Sequence, residues 1–161
     1  MLLSDRRFFL LGCAALAGCG FTPVYGPGGA ATDLFGQIGY ADPTDRNEFD
    51  LVRRFEERLG RTSAPSFTLN YALDLTEEDL GISQDLQITR YNLLGVLDFT
   101  LIDSTGAVRA RGRVDNFTSF SATGTTVSTQ SAKQDAYARL MIMLADNAVA
   151  RFLATSGDWA Q

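Results

Sequence analysis

Residues 66–76 read Ser-Phe-Thr-Leu-Asn-Tyr-Ala-Leu-Asp-Leu-Thr. In an extended chain Phe67, Leu69, Tyr71, Leu73 and Leu75 point one way, and Thr68, Asn70, Ala72 and Asp74 the other. A period of two with one apolar side is the pattern of a half-buried strand. It implies a sheet with one covered face and one face left for solvent or a partner. Glu77 to Asp85 then reads as an acidic, Gly-containing loop. Residues 86–103 form a long second strand of this type, Asp103-Ser104-Thr105-Gly106 turns the chain, and residues 107–120 return beside it. Counting out from the turn, Ile102 faces Ala107. One side of the hairpin then pairs Leu101 with Val108, Phe99 with Ala110 and Leu97 with Gly112. The other side pairs Thr100 with Arg109 and Asp98 with Arg111. A slip of one residue would send every side chain to the opposite face and lose both agreements.

Upstream, residues 34–41 are apolar with an imperfect period of two and read as a strand, and Asp42-Pro43-Thr44 turns the chain. Asp45 caps a helix with Glu48 as its capping-box partner, Phe49, Val52, Phe55 and Leu59 recur at helical spacing, and Gly60 stops it. Downstream, residues 122–130 are rich in Thr, Ser and Gly and read as a loop. Ser131 with Gln134 caps a second helix running to about Ala154, with Gly157 beyond it. Its apolar face comprises Ala138, Met141, Ala145, Ala148 and Phe152, flanked by Leu140, Leu144 and Val149. The order β-α-β-β-β-α predicts an α+β two-layer sandwich: a four-stranded mixed sheet with both helices on one face. Strands one and two should be parallel through a right-handed crossover, and strands two to four an antiparallel meander.

The first eighteen residues have a different character. A short basic region containing Arg6 and Arg7 precedes an apolar run from Phe8 to Gly18, too short to span ~30 Å of hydrocarbon as a helix. This is the pattern of a secretory signal. Leu16-Ala17-Gly18-Cys19 resembles the bacterial lipobox, in which small residues admit a signal peptidase and the thiol accepts diacylglycerol. The lipid chains would fix the protein to a membrane through its N-terminus. Gly20 stands where an inner-membrane retention signal would have Asp, which favours the outer membrane. Arg6-Arg7-Phe8-Phe9-Leu10 partly matches a twin-arginine export signal, with Asp5 in place of Ser or Thr; a charge pair of the leader is the simpler reading. The expected division is a signal peptide over 1–18, a lipidated Cys19 and extended tether over 19–33, one α+β domain over 34–157, and a frayed tail over 158–161.

Composition narrows the chemistry. The 161 residues carry a net charge of −5, which becomes −6 when Asp5, Arg6 and Arg7 leave with the leader. Such a chain has no global attraction for nucleic acid. Histidine is absent and the two cysteines are Cys13 and Cys19, the first inside the leader and the second destined for lipid. The usual general base, the commonest metal ligand and a free thiol are therefore missing from the mature chain, and no Ser sits in a strand-turn-helix elbow. Glu77-Glu78-Asp79 reads as a solvated turn rather than a catalytic carboxylate pair. Gly26-Pro27-Gly28-Gly29 lacks the Lys and the helix of a phosphate loop. The expectation is a protein without catalytic residues, metal or cofactor.

The arginines stand out instead. Alternation places Arg109, Arg111 and Arg113 on one face of the fourth strand, and Arg90 shares parity with Asp98 and Thr100 on the third. Guanidinium groups about 7 Å apart suit phosphate or carboxylate recognition. The plainer reading is a solvated polar face held by cross-strand pairs worth a few tenths of a kcal/mol each.

The junction Leu16-Ala17-Gly18-Cys19-Gly20-Phe21-Thr22-Pro23-Val24-Tyr25-Gly26, the element order, and the final helix with Gln134-Asp135-Ala136 followed by Leu140 and Leu144 together resemble the LPS-assembly lipoprotein family LptE, in its alphaproteobacterial form. The resemblance implies an outer-membrane lipoprotein facing the periplasm. Its partners would be lipopolysaccharide (LPS) and the LPS-translocation β-barrel LptD, whose lumen it would plug and whose assembly it would assist. By position and chemistry, Arg90, Arg109, Arg111 and Arg113 are the candidates for LPS or barrel contact. The alternative is a periplasmic lipid carrier or transporter-associated lipoprotein, which would need an internal apolar cavity.

Overall fold

The computed structural model describes residues 26, 29, 32, 34–82 and 88–156; the leader, Cys19, most of the tether, residues 83–87, Gly157 and the tail lie outside the described residues. Among the described residues, six elements follow in the expected order: β1 (Ile38–Tyr40), α1 (Arg46–Leu59), β2 (Phe67–Ile82), β3 (Ile88–Asp103), β4 (Val108–Ser121) and α2 (Thr126–Thr155). They form one four-stranded sheet in the order β1-β2-β3-β4, with β1 parallel to β2 and the other pairs antiparallel. The buried side chains of both helices and of the inner sheet face make one core, from Leu51 and Phe55 through Leu69, Leu97 and Leu101 to Leu140, Leu144 and Phe152.

The alternation read in β2 is present, with Leu69 fully buried, Phe67, Tyr71, Leu73 and Leu75 half-buried, and Asn70, Ala72 and Asp74 exposed. The strand does not stop at Thr76. Residues 77–82 continue it in place of the expected loop, because β3 is long enough to pair Glu77 with Leu93 and Glu78 with Asn92.

The β3–β4 register differs from the count made outward from the turn. Ile102 faces Val108, Leu101 faces Ala110, Thr100 faces Arg111, Phe99 faces Gly112 and Asp98 faces Arg113. The turn holds one more residue than assumed, closed by Asp103 N–H donating to Ala107 O at 3.0 Å. A bulge beyond Ile102 then leaves Arg109 as an extra residue on β4. Past the bulge the two offsets add to a shift of two, which preserves the face of every side chain from Ala110 onward; Val108, expected on the apolar side opposite Leu101, instead lies opposite Ile102 and is 56% exposed. Apolar residues still meet on one side and Asp98 still meets an arginine on the other.

The first strand is shorter than residues 34–41. Gly36 takes φ +72°, and Gln37 N–H donates to Leu34 O at 3.1 Å, so the segment before Ile38 is a turn. Gly36 N–H donates to Leu59 O at 2.7 Å, tying this entry to the end of α1. Asp45 caps α1 by accepting from Glu48 N–H at 2.8 Å, while the Glu48 carboxylate reaches back to Thr44 N–H at 2.7 Å, one residue before the cap itself. Leu51, Val52, Phe55 and Leu59 are the buried face of α1, and Phe49 is 58% exposed rather than part of it. Tyr40 of β1 stacks on Phe55 with ring centroids 6.0 Å apart, and its hydroxyl donates to Phe55 O and Gly60 O at 3.3 and 3.1 Å.

Helix α2 begins five residues before Ser131. Thr125 is its cap, accepting from Ser128 N–H at 3.3 Å, and Ser128 Oγ donates back to Thr125 O at 2.8 Å. This local pairing makes a helix start from a stretch whose composition suits a loop. Its first turns overhang the core, with Val127 77% exposed and burial beginning at Ala136. Further along, Arg54 of α1 grips Asp146 of α2 with two bonds, Nε to Oδ1 at 3.0 Å and Nη2 to Oδ2 at 2.8 Å.

Side chains of α2 close tightly over β3 at Gly95. A Cβ there would lie 2.8 Å from Leu144 Cδ1 and 3.1 Å from Leu140 Cδ2. Gly95→Ala is therefore expected to cost about 1–3 kcal/mol through overpacking, read as a lowered urea midpoint. An unchanged midpoint would mean that the helix does not rest on this strand as described.

Candidate functional site

The outer face of the sheet is where the candidate side chains gather. It is built by alternation: even-numbered residues of β2 and β3 and odd-numbered residues of β4 turn away from the helices. At the end nearest the β3–β4 turn, Arg109, Arg111 and Arg113 are all exposed at two-residue steps along β4. The structure brings these three together. Arg90 is also exposed, but it faces Ser121, eight residues from Arg113 along β4 and so about 27 Å away. It belongs to the opposite end of the face.

The three arginines are not equivalent. Arg109 is held by Asp103, with both Nε and Nη2 at 2.7 Å from Oδ2. The same carboxylate accepts from Thr105 Oγ1 at 2.6 Å, Thr105 N–H at 2.8 Å and Ala107 N–H at 3.0 Å. These donors, led by the Thr105 hydroxyl, hold the Asp103 carboxyl well below the usual carboxylate range. Arg113 meets Asp98 across the rung at 3.4 Å, the partner that the sequence count assigned to Arg111. Arg111, opposite Thr100, has no ion pair among the described residues. Two of the three positive charges are thus compensated, and Arg111 is the guanidinium with open donors.

Further along the same face the chemistry changes. Phe117 is 66% exposed and lies opposite Leu94, with Val96 on the next outward position of β3. Asp74 and Asp115 flank Val96 from the two neighbouring strands. The face is therefore amphipathic along its length, cationic at the turn and apolar near its middle. Phe117 shares the parity of Arg109, Arg111 and Arg113, and that parity is the signal in the sequence that places it on this face.

Two other features were beyond the sequence reading. Glu77, placed in a solvated turn, instead lies on the inner side of β2, where Lys133 Nζ is 2.6 Å from Oε2 and Tyr137 OH donates at 3.4 Å. The hydrogen bond to Glu77 raises the Lys133 ammonium above its ordinary value. A half-open groove of about 500 Å³ lies between β1 and α1, walled by Tyr40, Phe49, Val52, Arg53, Glu56 and Arg61. Its charges are mutually engaged, as in Arg61 to Glu56 at 2.6 Å and Arg53 to Asp50 at 3.5 Å. Among the described residues no group of three or more acidic, His or Cys side chains is placed to hold a metal ion, and no helix is long and apolar enough to cross a membrane.

The outer face, with its row of arginines and its exposed Phe117, is the candidate site. The family model for lipopolysaccharide assembly, LptE, matches residues 37–152, which spans β1 to the last turns of α2. The chain belongs to the LptE family. Solved structures agree on the fold of this LptE member. A Caulobacter crescentus protein described as a lipoprotein superposes with a TM-score of 0.67 at 18% identity, covering 82% of this chain and 98% of that one. The rare lipoprotein B of Shewanella oneidensis gives 0.59 at 10% identity, covering 78% and 98%. A lipoprotein B from Nitrosomonas europaea gives 0.52 at 13% identity, covering 74% and 80%. No curated protein matches the chain by sequence. Family membership makes it a component of lipopolysaccharide assembly in the cell envelope.

The Asp103 cluster yields a pH prediction. A carboxylate whose folded pKa is depressed contributes stability that is complete above its unfolded value, about pH 4, and declines as the pH falls through the folded one. Acid titration of unfolding should show a component below about pH 4 that is absent in Asp103→Asn, with neutral-pH activity of the outer face tested separately. Identical acid profiles for the two proteins would show that the turn is not held by this carboxylate.

Proposed function

We propose that this LptE member is a non-enzymatic outer-membrane lipoprotein, anchored by lipid on Cys19, that plugs the LPS-translocation β-barrel LptD, assists its assembly and helps pass LPS to the outer leaflet. The observation that carries the reading is the family match over the whole folded body. The physical character of the body supports it. A two-layer sandwich whose outer face is mostly polar, cationic at the turn and apolar only around Leu94 and Phe117 can sit against a hydrated wall without exposing a large apolar patch. Within this proposal Arg109, Arg111 and Arg113 form one contact for phosphate or carboxylate groups, with Arg111 as the primary donor. Arg90 is a separate contact at the far end of the face. An acidic body makes the plug role stronger than the LPS-contact role, because only local charge favours an anionic lipid here.

The lipid-carrier reading finds less support. The groove beside α1 is half-open and rimmed by Arg53, Glu56 and Arg61, whereas an acyl chain needs an enclosed apolar chamber.

Affinity purification of the tagged full-length chain after mild detergent extraction should recover a large β-barrel protein in stoichiometric amount. Recovery of the lipoprotein alone at native abundance would defeat the plug reading. Mass analysis of the same material should find residue 19 acylated and the leader gone. Replacing Arg109, Arg111 and Arg113 together with Gln should leave the unfolding free energy within about 1 kcal/mol while reducing barrel or LPS recovery. Unchanged recovery would leave the arginines as a solvated surface only.

A further inference from the structure

β1 pairs with β2 only through Phe67, Thr68 and Leu69, yet β2 runs on to Ile82. The bonds at its start reveal which backbone groups face that edge. Phe67 N–H donates to Gln37 O, and Leu69 O accepts from Ala41 N–H, each at 3.1 Å. Backbone groups alternate sides along a strand. The N–H and C=O of Tyr71, Leu73, Leu75 and Glu77 therefore face the same edge, where no described residue pairs with them. This is an open row about 20 Å long, and such a row is a template for another strand.

Two further observations say what would fill it. Tyr71, Leu73 and Leu75 lie on the inner face but are only half-buried, whereas Leu69, nearer β1, is completely buried. The apolar layer is thus left unfinished along the open edge. On the outer face Asp74 and Glu78 are exposed, and neither has an ion pair among the described residues. The edge calls for apolar side chains on one side and cations on the other.

Rival occupants fit this chemistry poorly. Residues 20–33 of the chain contain no Lys or Arg, and Pro23 and Pro27 lack an N–H to give. A second β2 across a two-fold axis would set carboxylates against carboxylates. The β4 edge of a second copy is basic but is interrupted by the bulge at Arg109.

We propose that the free edge of β2 from Tyr71 to Glu78 receives an extended segment of a partner protein that alternates apolar residues with Lys or Arg. The added strand completes the backbone bonds of Tyr71, Leu73 and Leu75, covers Leu73 and Leu75, and sets its cations against Asp74 and Glu78. This inference stands apart from the arginine contact, which lies on the other edge strand.

The test uses the full chain in neutral detergent and a fluorescein-labelled ten-residue peptide of alternating Lys and Val. Saturable binding by anisotropy is expected, with slowed amide exchange at Tyr71, Leu73 and Leu75. A peptide alternating Glu and Val should bind about tenfold more weakly. Of two versions of the Lys peptide, one N-methylated at all valine and one at all lysine backbone nitrogens, one should lose binding. Asp74→Lys with Glu78→Lys should reverse the preference toward the Glu peptide at an unchanged unfolding midpoint. The proposal is overturned by absent binding, or by equal binding of both methylated peptides, which would be charge attraction alone. It is overturned equally by edge amides already protected in the dilute free chain, where the N-terminal segment would cover them. Protection that rises with protein concentration and without peptide would assign the edge to a second copy.

Discussion

One helix lying across two strands governs this molecule. α2 brings Leu140 and Leu144 down onto β3 where Gly95 offers no side chain, and the space saved there lets the helix lie close to the sheet. Four residues further along β3 the Phe99 ring lies over Gly112, its partner on β4, and meets Phe152 of α2 edge-on with centroids 6.0 Å apart. Two glycines on the inner face thus set how near the layers come. α1 is then secured sideways against α2 rather than pressed independently on the sheet, through its apolar face and the paired bonds from Arg54 to Asp146. Because both side chains of that pair keep about 30% of their surface open to screening solvent, its electrostatic share is modest and the apolar seam dominates.

With both helices committed to one face, the other face is freed from packing and can be specified by contact alone. Its charges are arranged as an ordered series rather than a uniform field. Asp103 spends its lone pairs on the turn and on Arg109, Asp98 neutralises Arg113, and Arg111 is left with its donors open. The apolar residues Leu94 and Phe117 follow toward the middle of the face. A surface graded in this way can meet an amphiphile or a hydrated protein wall, and it asks nothing of the protein beyond rigidity.

Some parts of this arrangement were legible in the residues themselves. The period-two run from Phe67 to Leu75 identified β2 and its inner face. Asp45 with Glu48 located the start of α1, since a short acidic side chain can reach the free N–H groups of a first turn wherever the helix lies. The exposure of Arg109, Arg111 and Arg113 on one face followed from the same alternation. Other parts were misread for identifiable reasons. Thr126 to Gln130 looked like a loop because Thr and Ser are weak helix formers, yet Thr125 and Ser128 cap each other there. Residues 77–82 looked like a loop because acidic residues are rare in strands, yet β3 was long enough to pair with them. Phe49 had helical spacing to Val52, but the buried stripe of α1 runs through Leu51, Phe55 and Leu59 and leaves Phe49 on the wall of the groove.

What the sequence by itself determined is the set of faces: which side chains of each element are apolar, hence how many layers form and in what order. Those depend on periodicity, which is local and survives a register shift of two. Only the tertiary structure decided partners. An extra turn residue and a bulge at Arg109 moved Asp98 from Arg111 to Arg113 and turned Val108 outward, without changing the face of any residue from Ala110 onward. The same two offsets left Arg111 without an ion pair, and the length of the sheet separated Arg90 from the other arginines. Distances between residues far apart in the chain come from how turns close and how strands end, and neighbouring residues carry little record of either.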